Sequence, residues 1–240
     1  MPHIRQTSEL SPPTLPGIHV AGIGRNSAAR LCAQIPVQPP MEAGDLLLLF
    51  WGQCFVSAHT LQAHEAKDAI AMRIPASYLH NGIHRLHYRL LKPGKRPLRS
   101  PERRVLVKLD CPGGNGADEY LQPLQLPRRL RREGLFLAAL SDAVPCTLAP
   151  YRNMAEGDRI TVRWGDLRLD LPALHPSQVG NPVLAQIPLA LVCEAGPDRH
   201  MELSYCILDR VGNRSHWAPA TQLQVFAGCP PRTSINIPKM

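Results

Sequence analysis

The sequence predicts an all-β protein of two tandem β-sandwich domains, on three observations. Met41-Glu-Ala-Gly-Asp-Leu-Leu-Leu-Leu-Phe-Trp-Gly52 returns as Met154-Ala-Glu-Gly-Asp-Arg-Ile-Thr-Val-Arg-Trp-Gly165, with Met, Gly, Asp, Trp and Gly in register at an offset of 113. A repeat of that length is a domain-sized copy, not a solenoid unit. The 25 prolines and 17 glycines punctuate the chain too often for long helices and suit short strands joined by turns. Ile160, Val162 and Trp164 alternate with Arg159, Thr161 and Arg163, the period of a strand with one buried face.

The elements follow in order. Residues 1–13 are polar and proline-punctuated and read as a flexible lead-in. Domain one is expected over 14–112, a linker over 113–122, domain two over 123–228 and a tail over 229–240. Each copy opens on a short apolar run, Ile18-His-Val20 and Leu135-Phe-Leu137, followed by a second around Leu31–Ile35 and Val144–Leu148. The Gly-Asp pair is a turn feeding a strand. Trp51, Trp164, Tyr88 and Tyr205 are expected in the core. Val56–Met72 has helical composition, but its counterpart carries Pro172, Pro176 and Pro182, which a continuous helix does not tolerate; strand and loop are therefore expected in both. Ile74-Pro75 matches Ile187-Pro188 at 113, whereas Leu86-His-Tyr88 matches Leu203-Ser-Tyr205 at 117. Copy two thus has a longer turn there. Its last hairpin turns at Asp209–Asn213 and returns through Leu223-Gln-Val225.

Tyr205-Cys-Ile-Leu-Asp-Arg-Val-Gly-Asn213, ending in Leu-Gln-Val225, resembles the closing hairpin of bacterial immunoglobulin-like repeats. The Gly-Asp strand that ends in Trp-Gly resembles repeats found in tandem in bacterial surface and secreted proteins. In copy one, Lys92-Pro-Gly-Lys95 replaces the Asp-x-x-Gly-Asn turn. The resemblance implies two immunoglobulin-like β-sandwiches and a scaffold class with no shared active site. It implies a non-enzymatic interaction or adhesion module, an accessory of a bacterial secreted, injected or surface-associated assembly.

The chemistry in the chain agrees with that expectation. No Gly-x-Ser-x-Gly or HExxH motif occurs, and none of the seven cysteines has a base at a telling spacing. They read as free thiols acting as small core hydrophobes, because Cys54 aligns with Leu167 and Cys206 with Arg89. No catalytic residue and no cofactor is expected. His80, His84 and His87, or His59, His64 and Glu65, lack the spacing of a metal site; a buried His84 with exposed neighbours is the expectation. Pro112–Gly116 lacks the Lys-Ser/Thr of a phosphate loop. The N-terminus has no signal-peptide run and no stretch reaches membrane-span length, so the expectation is a cytoplasmic protein or one exported by a signal-independent route.

A net charge of +8 allows an acidic partner. Two arginine clusters are candidates for it: Arg96, Arg99, Arg103 and Arg104, and Arg128, Arg129, Arg131 and Arg132. Aromatics at 5% disfavour single-strand stacking, so a nucleic-acid-binding regulator is the rival reading and an anionic glycan a variant. The sharpest anomaly separates the copies: Leu46, Leu48 and Phe50 stand where copy two has Arg159, Thr161 and Arg163. An apolar outward face marks an interface, here with a protein partner, a second copy or the neighbouring domain; a covering loop is the alternative.

Overall fold

The computed structural model describes residues 10–65, 69–116 and 120–229. They are mostly β-strand, and they divide into two compact units. Unit 1 comprises residues up to Asp110 with Val211–Asn213; unit 2 comprises Cys111–Arg210 and the chain from Arg214.

In unit 1, β1 (Cys32–Pro36) pairs antiparallel with β4 (Ala69–Arg73) as a two-stranded sheet. The second sheet contains β2 (Leu46–Trp51), β3 (Cys54–Thr60), β5 (Gly82–Leu91), β6 (Leu98–Arg99) and β7 (Arg103–Val107). β2 lies between β3 and β5, and β5 is long enough to pair with β7 along Gly82–Leu86 and with β6 at Arg89 and Leu90. Between the sheets sits one core: Ala33 and Ile35 from β1, Ile70 and Met72 from β4, and Leu47, Leu49, Trp51, Leu86 and Tyr88 from the larger sheet. Leu10, in the expected lead-in, is also buried there.

Unit 2 repeats this plan. β9 (Val144–Leu148) pairs with β12 (Val183–Ile187), and the larger sheet runs β11-β10-β13-β14-β8. Its strands are β8 (Leu135–Phe136), β10 (Arg159–Trp164), β11 (Leu167–Asp170), β13 (Asp198–Leu208) and β14 (Thr221–Phe226). Ile160, Val162, Trp164, Met201, Leu203, Tyr205 and Ile207 all point into its core. The Tyr205 hydroxyl donates to the Gln122 carbonyl at 2.8 Å.

The repeated signature is a set of turn devices. Asp45 accepts from the backbone N–H of Glu42 at 2.8 Å, and Asp158 from that of Ala155 at 3.0 Å; each carboxylate closes the turn that launches its strand. The preceding Gly44 and Gly157 have φ of 88° and 82°, a region where a side chain is strained. After the tryptophans, Gly52 and Gly165 donate to the carbonyls of Arg85 and Glu202 at 2.7 and 2.9 Å, tying the hairpin to the next strand. The partners of the carboxylates differ: Asp45 pairs with Lys92 at 2.9 Å, whereas Asp158 accepts from the Tyr151 hydroxyl at 2.9 Å. Lys92, at the start of the turn that replaces Asp-x-x-Gly-Asn, is thus a nearly buried structural cation whose pKa is raised by Asp45.

Several expectations need correction. Among the described residues, three short helices interrupt the β structure: α1 (Arg25–Ala28), α2 (Arg128–Glu133) and α3 (Leu189–Ala195). The last explains the shift from 113 to 117, since α3 has seven residues where unit 1 has a three-residue 3-10 turn, Ala76–Tyr78. Ile18–Val20 is not a strand; Val20 is 99% exposed. The counterpart of β8, which runs parallel to β14, is Ile23, bridged in parallel to Val107. Of the expected linker, Gly113 donates to the Arg152 carbonyl at 2.8 Å and Leu121 belongs to the core of unit 2; residues 117–119 lie outside the described residues, as do 1–9 and 230–240 of the lead-in and tail.

Candidate functional site

The outward face of unit 2's larger sheet gathers side chains that are far apart in sequence. Because residues alternate along a strand, burying Val162 and Trp164 turns Thr161 and Arg163 outward. Register then places Arg168 of β11 opposite Arg163, and Gln222 of β14 opposite Glu202 of β13. Trp217, from the segment between β13 and β14, is half-buried among three guanidinium groups. Arg163, Arg168 and Arg214 lie 5.5, 5.8 and 5.8 Å from its ring centroid, within cation–π range. Arg163 also reaches the Glu202 carboxylate at 3.4 Å, and Arg214 donates to the Cys206 sulfur at 3.4 Å.

Glu202 also lines an adjoining open cleft of about 530 Å³, which it shares with Arg131, Arg132, Arg199, His200 and Gln222. α2 supplies the first two arginines. Gly134 ends that helix at φ 78°, with no room for a side chain between Phe226 and the Gln224 carbonyl. The members of the second predicted arginine cluster have different surroundings. Arg131 and Arg132 join Arg199 and His200, Arg129 is paired with Glu133 at 3.0 Å, and Arg128 shares with Arg131 a second groove lined by Leu184 and Pro145.

The first cluster lies in unit 1 and is more self-contained. Arg99 and Arg85 both hold Glu102. Arg103 is half-buried on β7, while Arg96 and Arg104 are exposed; Arg104 stands opposite Arg85.

The outward side of β2 carries Leu46, Leu48 and Phe50, each half-buried, while Leu47, Leu49 and Trp51 point inward. Side chains of neighbouring strands cover Phe50. Its ring stacks on His87 at 5.1 Å with planes 9° apart, Arg89 lies 4.7 Å from its centroid, and Phe55 meets it edge-on at 6.1 Å. Phe55 itself is 49% exposed.

The histidine expectation reverses here. His87, not His84, is the buried one, and neither of its ring nitrogens has a hydrogen-bond partner. Burial, reinforced by the charges of Arg99 and Arg89 and opposed by Glu102, holds its pKa below the ordinary histidine value. His84 is half-buried against Trp51 and bonded to the His80 carbonyl at 2.7 Å. His59 meets Glu65 at 2.9 Å, and that contact lowers the Glu65 pKa.

Among the described residues, no three His, Cys, Asp or Glu side chains converge as a metal site would require. The seven cysteines are free thiols. Cys146 and Cys206 are buried, but only Cys146 belongs to the core of unit 2, where burial pushes its thiol up to about 12. No helix among the described residues is long and apolar enough to cross a membrane.

Sequence reasoning put Arg163 on an outward face but did not join it to Arg168, Arg199, Arg214 and Trp217. The outward alternation of β10 was the available signal; the cross-strand partners are set by register.

No protein-family model matches the chain, and no curated protein matches it. Among solved structures it is similar to the fibronectin(III)-like modules of Clostridium thermocellum CbhA, at 10% identity and a TM-score of 0.45 over 90% of this chain and 94% of that one. It is also similar to a 1.5-MDa bacterial ice-binding adhesin, at 9% identity and a TM-score of 0.42 over 91% of this chain and 66% of that one. Neither likeness reaches a TM-score of 0.5.

Proposed function

We propose that the chain is a non-enzymatic interaction module of two tandem immunoglobulin-like sandwiches, residues 14–112 and 123–228, which binds an acidic partner through the outward sheet face of unit 2. The observation that carries this reading is the gathering of Arg131, Arg132, Arg163, Arg168, Arg199 and Arg214 from separate chain segments onto or beside one sheet face. Like charges brought together repel, and an anionic partner relieves that repulsion while gaining charge-assisted hydrogen bonds. The role as an accessory of a bacterial secreted, injected or surface-associated assembly follows from the resemblance of the repeats.

The test is binding of the full chain to immobilised polyanions at low and physiological salt. Binding that weakens as salt screens it, and that drops in an Arg131→Gln/Arg199→Gln variant, supports the reading. No binding to any polyanion at low salt overturns it.

A second contact is proposed on unit 1. Leu46, Leu48 and Phe50 form an apolar strip beside the exposed Phe55, suited to a protein partner or a second copy. Association that survives Leu48→Ser/Phe50→Ser in a folded chain refutes that contact.

A further inference from the structure

We infer that the acidic partner of unit 2 is an anionic polysaccharide, with carboxylate or sulfate groups, lying across β14, β13, β10 and β11 and stacking a sugar ring on Trp217. This rests on the acidic-partner reading above and narrows it.

The first argument is charge. Of the three arginines around Trp217, Arg163 has a carboxylate partner in Glu202 at 3.4 Å. Arg214 donates to a thiol sulfur, a weak acceptor, and neither Arg168 nor Arg214 has a carboxylate partner among the described residues. Two guanidinium forks thus flank one aromatic ring with their capacity for a carboxylate or sulfate unused. Planar forks bind such groups bidentately.

The second argument separates a polysaccharide from the other acidic polymers. A protein partner draws its affinity from apolar anchors in a desolvated centre. Between Leu208 at one end of the sheet and Phe226 at the other, the outward positions include the half-buried Thr161 and Arg163 and the exposed Arg168, Asp170, Glu202, Gln222 and Gln224, which offer no such centre. The Thr161 hydroxyl is held by Asp170, but the Gln222 and Gln224 amides do match a polymer dense in hydroxyl groups. Nucleic acid is disfavoured because successive bases need successive aromatic platforms, and Trp217 stands alone on this stretch of the face. A single indole bordered by cations suits one sugar ring with its charged substituent turned toward an arginine.

The third argument is reach. The arginine-lined cleft adjoins β14 and β13, and Arg168 lies on β11 at the sheet's far edge. With strands about 4.8 Å apart, the path from β14 to β11 is about 14 Å, so an extended polymer meets both basic groups at once.

The test compares heparin and alginate with poly-L-glutamate and duplex DNA, each titrated against the full chain at low salt. The variants are Trp217→Ala, Trp217→Phe and Arg168→Gln/Arg214→Gln, with Arg104→Gln as a control and circular dichroism to verify folding. The expected result is preferential binding of a polysaccharide. Trp217→Ala should weaken it about tenfold, as loss of one stacking contact implies, while leaving poly-glutamate unchanged. Trp217→Phe, which keeps an aromatic face, should restore most of the loss. The indole emission of Trp217 should shift with polysaccharide and not with poly-glutamate. Equal affinity for all polyanions, or a Trp217→Ala effect shared by poly-glutamate, overturns the polysaccharide inference and leaves the acidic-partner reading standing. Absence of binding to every polyanion overturns both.

Discussion

Replacing Asp158 tests whether the Gly-Asp signature is a folding device. Its side chain is fully buried and one oxygen accepts from both the Ala155 N–H at 3.0 Å and the Tyr151 hydroxyl at 2.9 Å. The pairing also raises the Tyr151 pKa, after burial as the larger cause. Asp158→Ala removes two hydrogen bonds to a charged acceptor, each worth about 1.5–3 kcal/mol, and leaves both donors unsatisfied. The expected loss in unit 2 is about 3–5 kcal/mol, a large part of the stability of an ordinary domain. Asp158→Asn keeps an acceptor oxygen and should cost about half as much. Urea denaturation followed by tryptophan fluorescence reads both, with Trp164 reporting from the core of this unit. A loss below about 1 kcal/mol for Asp158→Ala would refute the argument, because it would mean the turn closes without its carboxylate.

Three further outcomes follow from the geometry. His87 is held neutral in the fold and regains an ordinary pKa near 6.5 on unfolding; the unfolded chain therefore takes up the proton first as pH falls. Its contribution to stability should be complete above about pH 6.5 and shrink from there down to the lowered folded value, and His87→Phe should flatten that part of the urea-midpoint profile. Gly157→Ala should cost about 1–2 kcal/mol, the strain of a side chain at φ 82°, where the added Cβ would meet Arg210 in ordinary contact at 3.8 Å. Gly134→Ala should cost more, since its Cβ would lie 2.9 Å from the Gln224 carbonyl and 2.6 Å from the Phe226 ring; thermal melts of the two variants settle the order. Leu48→Ser/Phe50→Ser should abolish association through unit 1, read by sedimentation for a second copy and by pull-down from native extract for a protein partner, at a cost of about 1–2 kcal/mol from losing half-buried apolar area.

Local spacing in the sequence carries a defined part of this protein. The offset of 113, the alternation of Ile160, Val162 and Trp164 and the turns at Gly-Asp are properties of neighbouring residues, so they fix which stretches become strands and which side chains turn inward. The change to 117 likewise announced extra residues before β13, although not that they coil into α3: a seven-residue helix depends on packing Val192 into the core, which local propensity does not report. Burial of His87 in place of His84 escaped for the same reason. Alternation places His87 outward, and only the cross-strand ring of Phe50 and its neighbours covers it. The basic face of unit 2 is the clearest case. Arg131, Arg163, Arg168 and Arg199 lie on four separate elements and Arg214 and Trp217 on a fifth stretch of chain, and strand register and sheet order bring them together. Sequence determined the strands and their faces because those are set within a few residues; the site was decided by tertiary structure because register between distant strands is a property of the assembled sheet.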